Sequence, residues 1–444
     1  MPPPESVIEQ APVIGIQAAP PRWDRLNRFA ARVGLGPITS FNSGSFHQMA
    51  LDELYQDQFG ENGYPEANIR AFKTHKKLVR ALGKGAIDMA VIAVDNNYSG
   101  RVGTSIDELR KKENIYHITG EVTVAVDQHI LHHSDHKEDD IAHVISQRPA
   151  LDQVAHEQES RGWTKMIEAK DTVLSAMKVA RKKGVIKGQP TAAIASKAAG
   201  EANGLTVGSK VSKEGNATTF WRITKEKEFH PETDANRVAF TFSVADQPGS
   251  LYDTVAAISD LGYDFTDIDC HLAPEGDQRV FFAEVEIPER KNGIMALQEL
   301  SDINSEGDAQ YDSVRPLGVY KDVTKKGVTD VIRGQNTKKE LPSAIDTTDW
   351  SRPGSSHQDG SNVVYVDAKN EHGSLKGMLE AFKDHDINII DMSRPVSTDG
   401  NGSRGFYFVA EPDVDVSEAM RQLENQKYDP THYNYIQGEL ALAA

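Results

Sequence analysis

The stretch DMAVIAVDNN at residues 88–97 holds six consecutive apolar residues and then ends in three polar ones. A short apolar run without alternation is typical of a strand buried on both faces of a sheet. From residue 36 to about 225, further apolar runs alternate with helical stretches: runs at 122–126 and 192–195, helical stretches at 69–82 and 172–183. This alternation predicts an α/β domain with mostly parallel sheets.

The C-terminal half contains an internal repeat. Residues 237–287 read as strand, helix, strand, turn and strand, and residues 362–412 repeat that order. Each copy places Gly-Ser-Leu at the helix start, and one more helix and strand would complete a ferredoxin-like α+β fold. Between the copies, residues 323–360 are polar, show no clear period and are predicted to be a linker.

Length and composition bound the class of protein. The chain has 444 residues, enough for two or three cores. Its net charge of -17 argues against a nucleic-acid partner, and its single cysteine excludes a disulfide framework. No apolar run is long enough to span a membrane. A cytoplasmic protein is expected, with a disordered leader at 1–34, an α/β domain at 35–228 and repeats at 235–322 and 361–440.

Five segments of the α/β domain follow one another as distinct motifs: Gly44-Ser45-Phe46, 93–97, 146–151, Asp171-Thr172 and 216–220. In this order they resemble Gly-Thr-Phe, Pro-Ile-Glu-Asn-Ser, Ser-His-Pro-Gln-Ala-Leu, Ser-Thr-Ala and Asn-x-Thr-Arg-Phe of the prephenate dehydratase family. The repeats resemble ACT domains, the amino-acid-sensing modules that follow this catalytic domain. The resemblance implies a two-lobed fold like type II periplasmic binding proteins, with a cleft between the lobes.

The resemblance also implies a substrate and a site. Prephenate carries two carboxylates and a ring hydroxyl, and the dehydratase reaction expels carbon dioxide together with hydroxide. A donor must sit against the leaving oxygen, and by resemblance Thr218 is that catalytic residue. The implied substrate-binding residues are Ser45, Asn96, Asn97, Ser146, Arg148, Thr172 and Phe220.

The family's motif arginine is replaced here by Thr219. An arginine can give a carboxylate two charge-assisted hydrogen bonds, each contributing about 1.5–3 kcal/mol. Another cation is therefore expected to neutralise the substrate. Arg148, which stands inside the cleft motif, is the first candidate for that role, and Arg101 is the second.

Three functions remain open on the sequence. Retained Thr218 favours prephenate dehydratase, which forms phenylpyruvate for aromatic amino-acid biosynthesis. The missing arginine and the altered segment around Asp95 fit a decarboxylase that keeps the ring hydroxyl. Tandem repeats also fit an inactive amino-acid sensor. No nucleotide, nicotinamide or metal cofactor is indicated, because neither a phosphate-binding loop nor a zinc ligand spacing is present.

The repeats predict an effector site and an association mode. By resemblance, phenylalanine would bind where the helices begin, at Gly249, Ser250, Leu251, Gly373, Ser374, Leu375 and Arg394. Ser393-Arg394-Pro395 stands one residue early relative to the first repeat, which would turn Arg394 away from the pocket unless a bulge restores the register. ACT modules often pair by edge strands, so a homodimer or a larger assembly is expected.

Overall fold

Strands and helices alternate through the first 225 residues of the computed structural model, as the sequence predicts. The structure describes residues 11–17, 45–60, 63–65, 68–96, 100–102, 105, 116–182, 186, 188–225, 234–272, 278–303, 311–325, 328, 361–369, 372–393, 403–436 and 439–442. The chain divides into two compact units, one of residues 1–116, 120–226 and 323–329, the other of residues 117–119, 227–322 and 330–444. In the described part of the chain, no helix is long and apolar enough to cross a membrane.

The first lobe is a mixed sheet with strand order β2-β1-β3-β11-β5, and β4 pairs with β3. Its strands are β1 (Ile14–Gln17), β2 (Ile69–Phe72), β3 (Met89–Asn96), β4 (Gly100–Arg101), β5 (His117–Ala125) and β11 (Ala217–Thr224). The lobe's helices are α1 (Phe46–Leu54), α2 (Gln56–Phe59) and α3 (His75–Gly83). β1 runs parallel to β2 and β3, whereas β11 runs antiparallel to β3.

The second lobe is another mixed sheet, with strand order β10-β6-β9-β7-β8. Its strands are β6 (Gln128–His132), β7 (His143–Ser146), β8 (Lys165–Glu168), β9 (Thr191–Ser196) and β10 (Thr206–Lys210). Its helices are α4 (Arg148–Val154), α5 (Thr172–Ala180) and α6 (Lys197–Ala202). The chain crosses between the lobes from β5 to β6 and from β10 to β11. These crossings bring in antiparallel strands, so the prediction of mostly parallel sheets is wrong.

Two predicted boundaries also need correction. The sequence predicted a disordered leader at 1–34, but Ile14 and Ile16 of β1 are fully buried in the middle of the first sheet. Proline-rich flanks concealed this four-residue strand. The predicted helix at 69–82 is instead β2 followed by α3, because Thr74 caps α3 by accepting a hydrogen bond from the amide of Lys77.

The two repeats share one nine-stranded sheet, with order β15-β12-β14-β13-β17-β18-β16-β19-β20. The first repeat consists of β12 (Arg237–Ala245), α7 (Ser250–Asp260), β13 (Asp264–Leu272), β14 (Gln278–Glu286), α8 (Gly293–Asp302) and β15 (Tyr311–Tyr320). The second consists of β16 (Ser361–Lys369), α9 (Ser374–Asp384), β17 (Ile389–Ser393), β18 (Ser403–Pro412), α10 (Ser417–Asn425), β19 (Asp429–Ile436) and β20 (Glu439–Leu442). The predicted two-lobed α/β domain and two ferredoxin-like repeats are confirmed.

The repeats pair with each other through β13 and β17, at Asp269 opposite Ser393. Two ion pairs also join helices α7 and α9. Lys383 of α9 lies 2.7 Å from Asp253 of α7, and Lys376 of α9 lies 2.6 Å from Asp260 of α7. Both lysines belong to the second repeat and both aspartates to the first. Since these charges complement each other only between unlike repeats, they favour pairing within this sheet over pairing of two identical repeats.

Candidate active site

A cluster of amide and hydroxyl side chains lies where β3 and β11 meet. The Nδ2 atom of Asn96, at the end of β3, lies 2.9 Å from Oγ1 of Thr218. The same nitrogen lies 2.8 Å from the carbonyl oxygen of Ala217 and 2.9 Å from Oδ1 of Asn216. Antiparallel pairing places Thr218 directly opposite Asn96, so the sheet register itself fixes this contact.

The cluster extends into the second lobe through two residues that the predicted site omitted. Asn216 is almost fully buried, and its Nδ2 donates to Oε1 of Gln153 on α4 at 2.8 Å. The sequence offered a signal for Asn216, since it begins the motif that contains Thr218. Gln153 lies on α4, seven residues after Ser146 of β7, and carried no signal of its own. Together these amides join the two lobes beside Thr218.

The direction of these hydrogen bonds decides what Thr218 can do. Asn96 Nδ2 is a donor only, and its two hydrogens are shared among three acceptors: Asn216 Oδ1, the Ala217 carbonyl and Thr218 Oγ1. The oxygen of Thr218 therefore accepts, and none of the described residues accepts a hydrogen bond from its hydroxyl, so that hydrogen can donate to a ligand. A hydroxyl held in this way is a preorganised hydrogen-bond donor.

Of the other predicted substrate-binding residues, two lie at the starts of helices and some fall outside the described residues. Ser45 caps α1 by accepting from the amide of Gln48 at 3.2 Å, which leaves its hydrogen to donate. Thr172 is the first, buried residue of α5, directly after the cap Asp171. Asn97 lies outside the described residues, as do Arg394 and the side chain of Arg101.

Two members of the predicted group are structural instead. Ser146 is fully buried, and its hydroxyl donates to the carbonyl of Ile194 at 2.6 Å within the second sheet. Phe220 is buried in the core of the first lobe, with Leu51 and Val122 among its cluster. Neither side chain is available to a substrate, so the prediction that these two residues bind it is wrong.

The side chains of Thr218 and Thr219 project from opposite faces of β11. Successive residues of a strand point to opposite faces, and Oγ1 of Thr219 lies 2.9 Å from Oγ1 of Thr123 on β5. The hypothesis that Thr219 replaces an arginine against the substrate beside Thr218 is therefore wrong. The motif arginine of the family is still absent here, so the decarboxylase alternative stays a hypothesis.

Arg148 begins α4 at the edge of the second lobe. Its side chain is 70% exposed and forms a 2.8 Å ion pair with Asp152, one turn further along the helix. An exposed pair of this kind contributes roughly 0–1 kcal/mol, so a bound carboxylate could displace Asp152 at little cost. Arg148 consequently stays a proposed substrate cation.

A pair of histidines lies behind the predicted site. His47, at the start of α1, packs edge-on against Phe220 at 5.0 Å between ring centroids and lies 6.1 Å from His75. Burial, together with the charge of His75, lowers the pKa of His47 to about 3, and burial lowers the pKa of His75 to about 4. Nε2 of His47 is buried without a hydrogen-bond partner among the described residues. Both rings are therefore neutral at neutral pH.

These pKa values predict an acid-sensitive first unit. The unfolded chain binds protons at these histidines below pH ~6.5, whereas the folded chain resists protonation down to about pH 4 and 3. Their contribution to stability is complete above pH ~6.5 and is lost as the pH falls, by up to ~1.4 kcal/mol per pH unit for each histidine. Urea unfolding between pH 7 and 4.5 should show a shallower decline for His47→Gln than for the exposed control His156→Gln. Equal declines would contradict the assignment.

The predicted effector positions differ between the repeats. Gly249 and Gly373 both adopt left-handed backbone conformations with φ near 80°, immediately before α7 and α9. A side chain at Gly373 would meet open space, whereas one at Gly249 would meet Lys383 at 3.4 Å. The cavity beside Gly249 and Leu251 measures only about 10 Å³. Because a single water needs ≳10–15 Å³, the first-repeat position is closed to an amino acid.

A buried polar network closes the junction beside Gly249. Arg279 holds both carboxylate oxygens of Asp246 at 2.7 Å and donates to the Ile390 carbonyl at 2.5 Å. Asn388 also donates to Asp246, at 2.7 Å. Burial acts to raise the pKa of Asp246, but its hydrogen bonds to Arg279 and Asn388 outweigh burial and lower it. The pairing register of β17 with β18 shifts between Ile389 and Asp391. The register of β13 with β14 shifts at the corresponding position of the first repeat, between Phe265 and Asp267.

The fold and the site define a class of protein: a two-lobed α/β domain with a polar cluster between its lobes, followed by paired ACT-like repeats. The family model described as prephenate dehydratase matches residues 40–228. The match covers the two-lobed domain, so this part of the chain resembles a prephenate dehydratase domain.

Individual relatives agree with this family at low identity. Arogenate dehydratase/prephenate dehydratase 1, chloroplastic, of Arabidopsis thaliana is 26% identical over 207 residues, 46% of this chain and 51% of the relative. Arogenate dehydratase 2 of Petunia hybrida is 25% identical over 218 residues, 48% of this chain and 53% of the relative. The chain thus spans about half the length of these curated relatives.

A solved structure shows the shared fold. Prephenate dehydratase from Arthrobacter aurescens, solved in complex with L-Phe, superposes with a TM-score of 0.52 at 16% identity. The superposition covers 69% of this chain and 90% of that chain. At this identity the likeness supports the fold alone.

Proposed function

We propose that this protein is a prephenate dehydratase that converts prephenate to phenylpyruvate, carbon dioxide and water. The contact between Asn96 Nδ2 and Thr218 Oγ1 carries the proposal, because it leaves the threonine hydrogen to donate. As the ring carboxylate departs as carbon dioxide, its bonding electrons pass through the ring and expel the ring hydroxyl. A hydrogen bond from Thr218 stabilises the negative charge on that leaving oxygen, which becomes water after protonation.

The remaining groups would bind and orient the substrate. Ser45 and the first amides of α1 suit a carboxylate, since the helix N-terminus carries free N–H groups and a positive dipole. Arg148 would supply the counter-charge from the second lobe. Gln153, Asn216 and Asn96 would hold the lobes around the bound molecule.

Incubation of the purified protein with prephenate tests the proposal. Appearance of phenylpyruvate, followed by ultraviolet absorbance and mass spectrometry, would support it. Carbon dioxide without an aromatic product would identify the decarboxylase, and no consumption would leave the amino-acid sensor. Because curated relatives are named arogenate dehydratases, arogenate should be assayed in parallel, with phenylalanine as the diagnostic product.

Replacement of Arg148 by alanine tests the substrate cation. Loss of charge-assisted bonds of about 1.5–3 kcal/mol should raise KM for prephenate roughly 10- to 100-fold with a smaller change in kcat. The matched control is Asp152→Ala, which breaks the same ion pair and leaves the arginine in place. Equal KM values for the two variants would remove Arg148 from the site.

Regulation by phenylalanine belongs to the same proposal. The Gly373 end of the second repeat is the position that supports an amino-acid effector, since it faces open space and the Gly249 end is closed.

We further propose that the pairing of the repeats within one sheet replaces the pairing of two subunits through β13. The expected homo-oligomer would then need another surface.

A further inference from the structure

A cavity in the first unit lies beside Thr123, the residue that contacts Thr219. It measures about 390 Å³, within the ~300–1,000 Å³ range of small-molecule sites. Its walls come from α1 and β5 of the first lobe, the start of α6 in the second lobe, and Lys325 and Val328. Neither Thr218 nor Asn96 lines it.

The segment that contributes Lys325 was predicted to be part of a linker at 323–360, and here that prediction is wrong. Val323 donates its amide hydrogen to the carbonyl of Glu121 at 3.0 Å. Thr324 accepts a hydrogen bond from the amide of Thr123 at 2.8 Å. These bonds attach the segment alongside β5, the outer strand of the first sheet, and so place Lys325 in the wall of the cavity.

The charges of the cavity come as pairs of both signs. Lys325 lies 2.6 Å from Glu53 on α1, and Lys197 lies 3.7 Å from Glu201 on α6. Asp127, the third carboxylate of the wall, lies 2.5 Å from Lys210, so each carboxylate has its own lysine. This balance opposes a dianion such as prephenate, whereas a zwitterion can exchange both of its charges with such pairs.

The rest of the wall is largely apolar. Met49, Val124 and Val328 contribute hydrophobic surface next to the Glu53–Lys325 pair. Burial of an apolar side chain there contributes about 25 cal/mol per Å² of surface removed from water. A ligand for this cavity therefore carries an ammonium group, a carboxylate and an apolar side chain.

We propose that the cavity beside Thr123 binds an apolar amino acid, at a site separate from both the Thr218 cluster and the repeats. Thr219 does not itself line the cavity, but it contacts Thr123, which does. An arginine at that position would project from the same face as Thr123, whose side chain lines the cavity. The site goes beyond the proposed dehydratase activity and does not depend on it.

Calorimetric titration of the full chain with L-phenylalanine tests the site. Thr219→Arg should bind one equivalent fewer than the unaltered protein, because the guanidinium fills the cavity and pairs with its carboxylates. Glu53→Gln and Lys325→Met should each weaken binding at this site at least 10-fold. Lys321→Met, four residues upstream and paired with Asp234, is the control and should change nothing.

The outcomes distinguish binding at this cavity from the proposed dehydratase activity. Thr219→Arg should still consume prephenate, because residue 219 faces away from Thr218, and this activity also shows that the variant folds. If it does not fold, Glu53→Gln and Lys325→Met carry the test. The proposal is overturned if Thr219→Arg binds as many equivalents as the unaltered protein, or if 3-phenylpropionate, which lacks the ammonium group, occupies the site with equal affinity.

Discussion

Replacement of Thr218 by valine is expected to lower kcat for phenylpyruvate formation about 100- to 1,000-fold, with little change in KM. Valine has the shape of threonine but no hydroxyl, so the leaving oxygen has no donor from this residue. The lost hydrogen bond matters mainly in the transition state, when negative charge develops on that oxygen, and kcat therefore falls more than KM changes. Removal of one such donor costs roughly 2.7–4 kcal/mol of transition-state stabilisation. Steady-state kinetics with prephenate measures this directly.

The matched control for this substitution lies on the same strand. Thr224 is buried at the other end of β11 and bonds the carbonyl of Asp88 at 3.3 Å. Thr224→Val should reduce stability slightly and leave kcat within a few-fold of the unaltered enzyme. A Thr218→Val enzyme with full kcat would show that the leaving hydroxyl is served by another group.

Replacement of Arg279 by alanine is expected to destabilise the repeats by about 3 kcal/mol. Arg279 is only 8% exposed, and its loss would leave Asp246 charged and partly buried without its bidentate partner. Removal of one member of a buried ion pair costs roughly 3–5 kcal/mol. The lower end applies because the side chain of Asp246 is about a third exposed.

Thermal and urea unfolding of the full chain measure this loss. For a unit of this size, about 3 kcal/mol corresponds to a fall of roughly 6–12 °C in the Tm of the transition that belongs to the repeats. Arg421→Ala is the control, because Arg421 is 65% exposed and pairs only on the surface with Glu418. A Tm equal to that of this control would mean that the junction between the repeats does not depend on Arg279.

The sequence predicted the architecture well because its signals were local. Apolar runs such as Met89–Val94 became buried strands, and each Gly-Ser-Leu became a helix start preceded by a left-handed glycine. Thr218 and Asn96 were both predicted in the site, and the register between β3 and β11 places them opposite each other. The pairing of β3 with β11 therefore accounts for the contact between these two side chains.

What the sequence could not predict depends on side-chain direction and on distant packing. Thr219 was read as a neighbour of the substrate because it follows Thr218, yet strand alternation turns it toward Thr123. The hydroxyl of Ser146 is committed to a carbonyl on β9, nearly fifty residues away. Closure of the first-repeat effector position depends on Lys383, which comes from the other repeat.

The molar yield of products from prephenate tests the central claim most directly. If Thr218 stabilises the departing ring hydroxyl, each mole of prephenate consumed should release one mole of carbon dioxide and form one mole of phenylpyruvate. Carbon dioxide release with no phenylpyruvate would show that the hydroxyl stays on the ring, and would contradict the role assigned to Thr218.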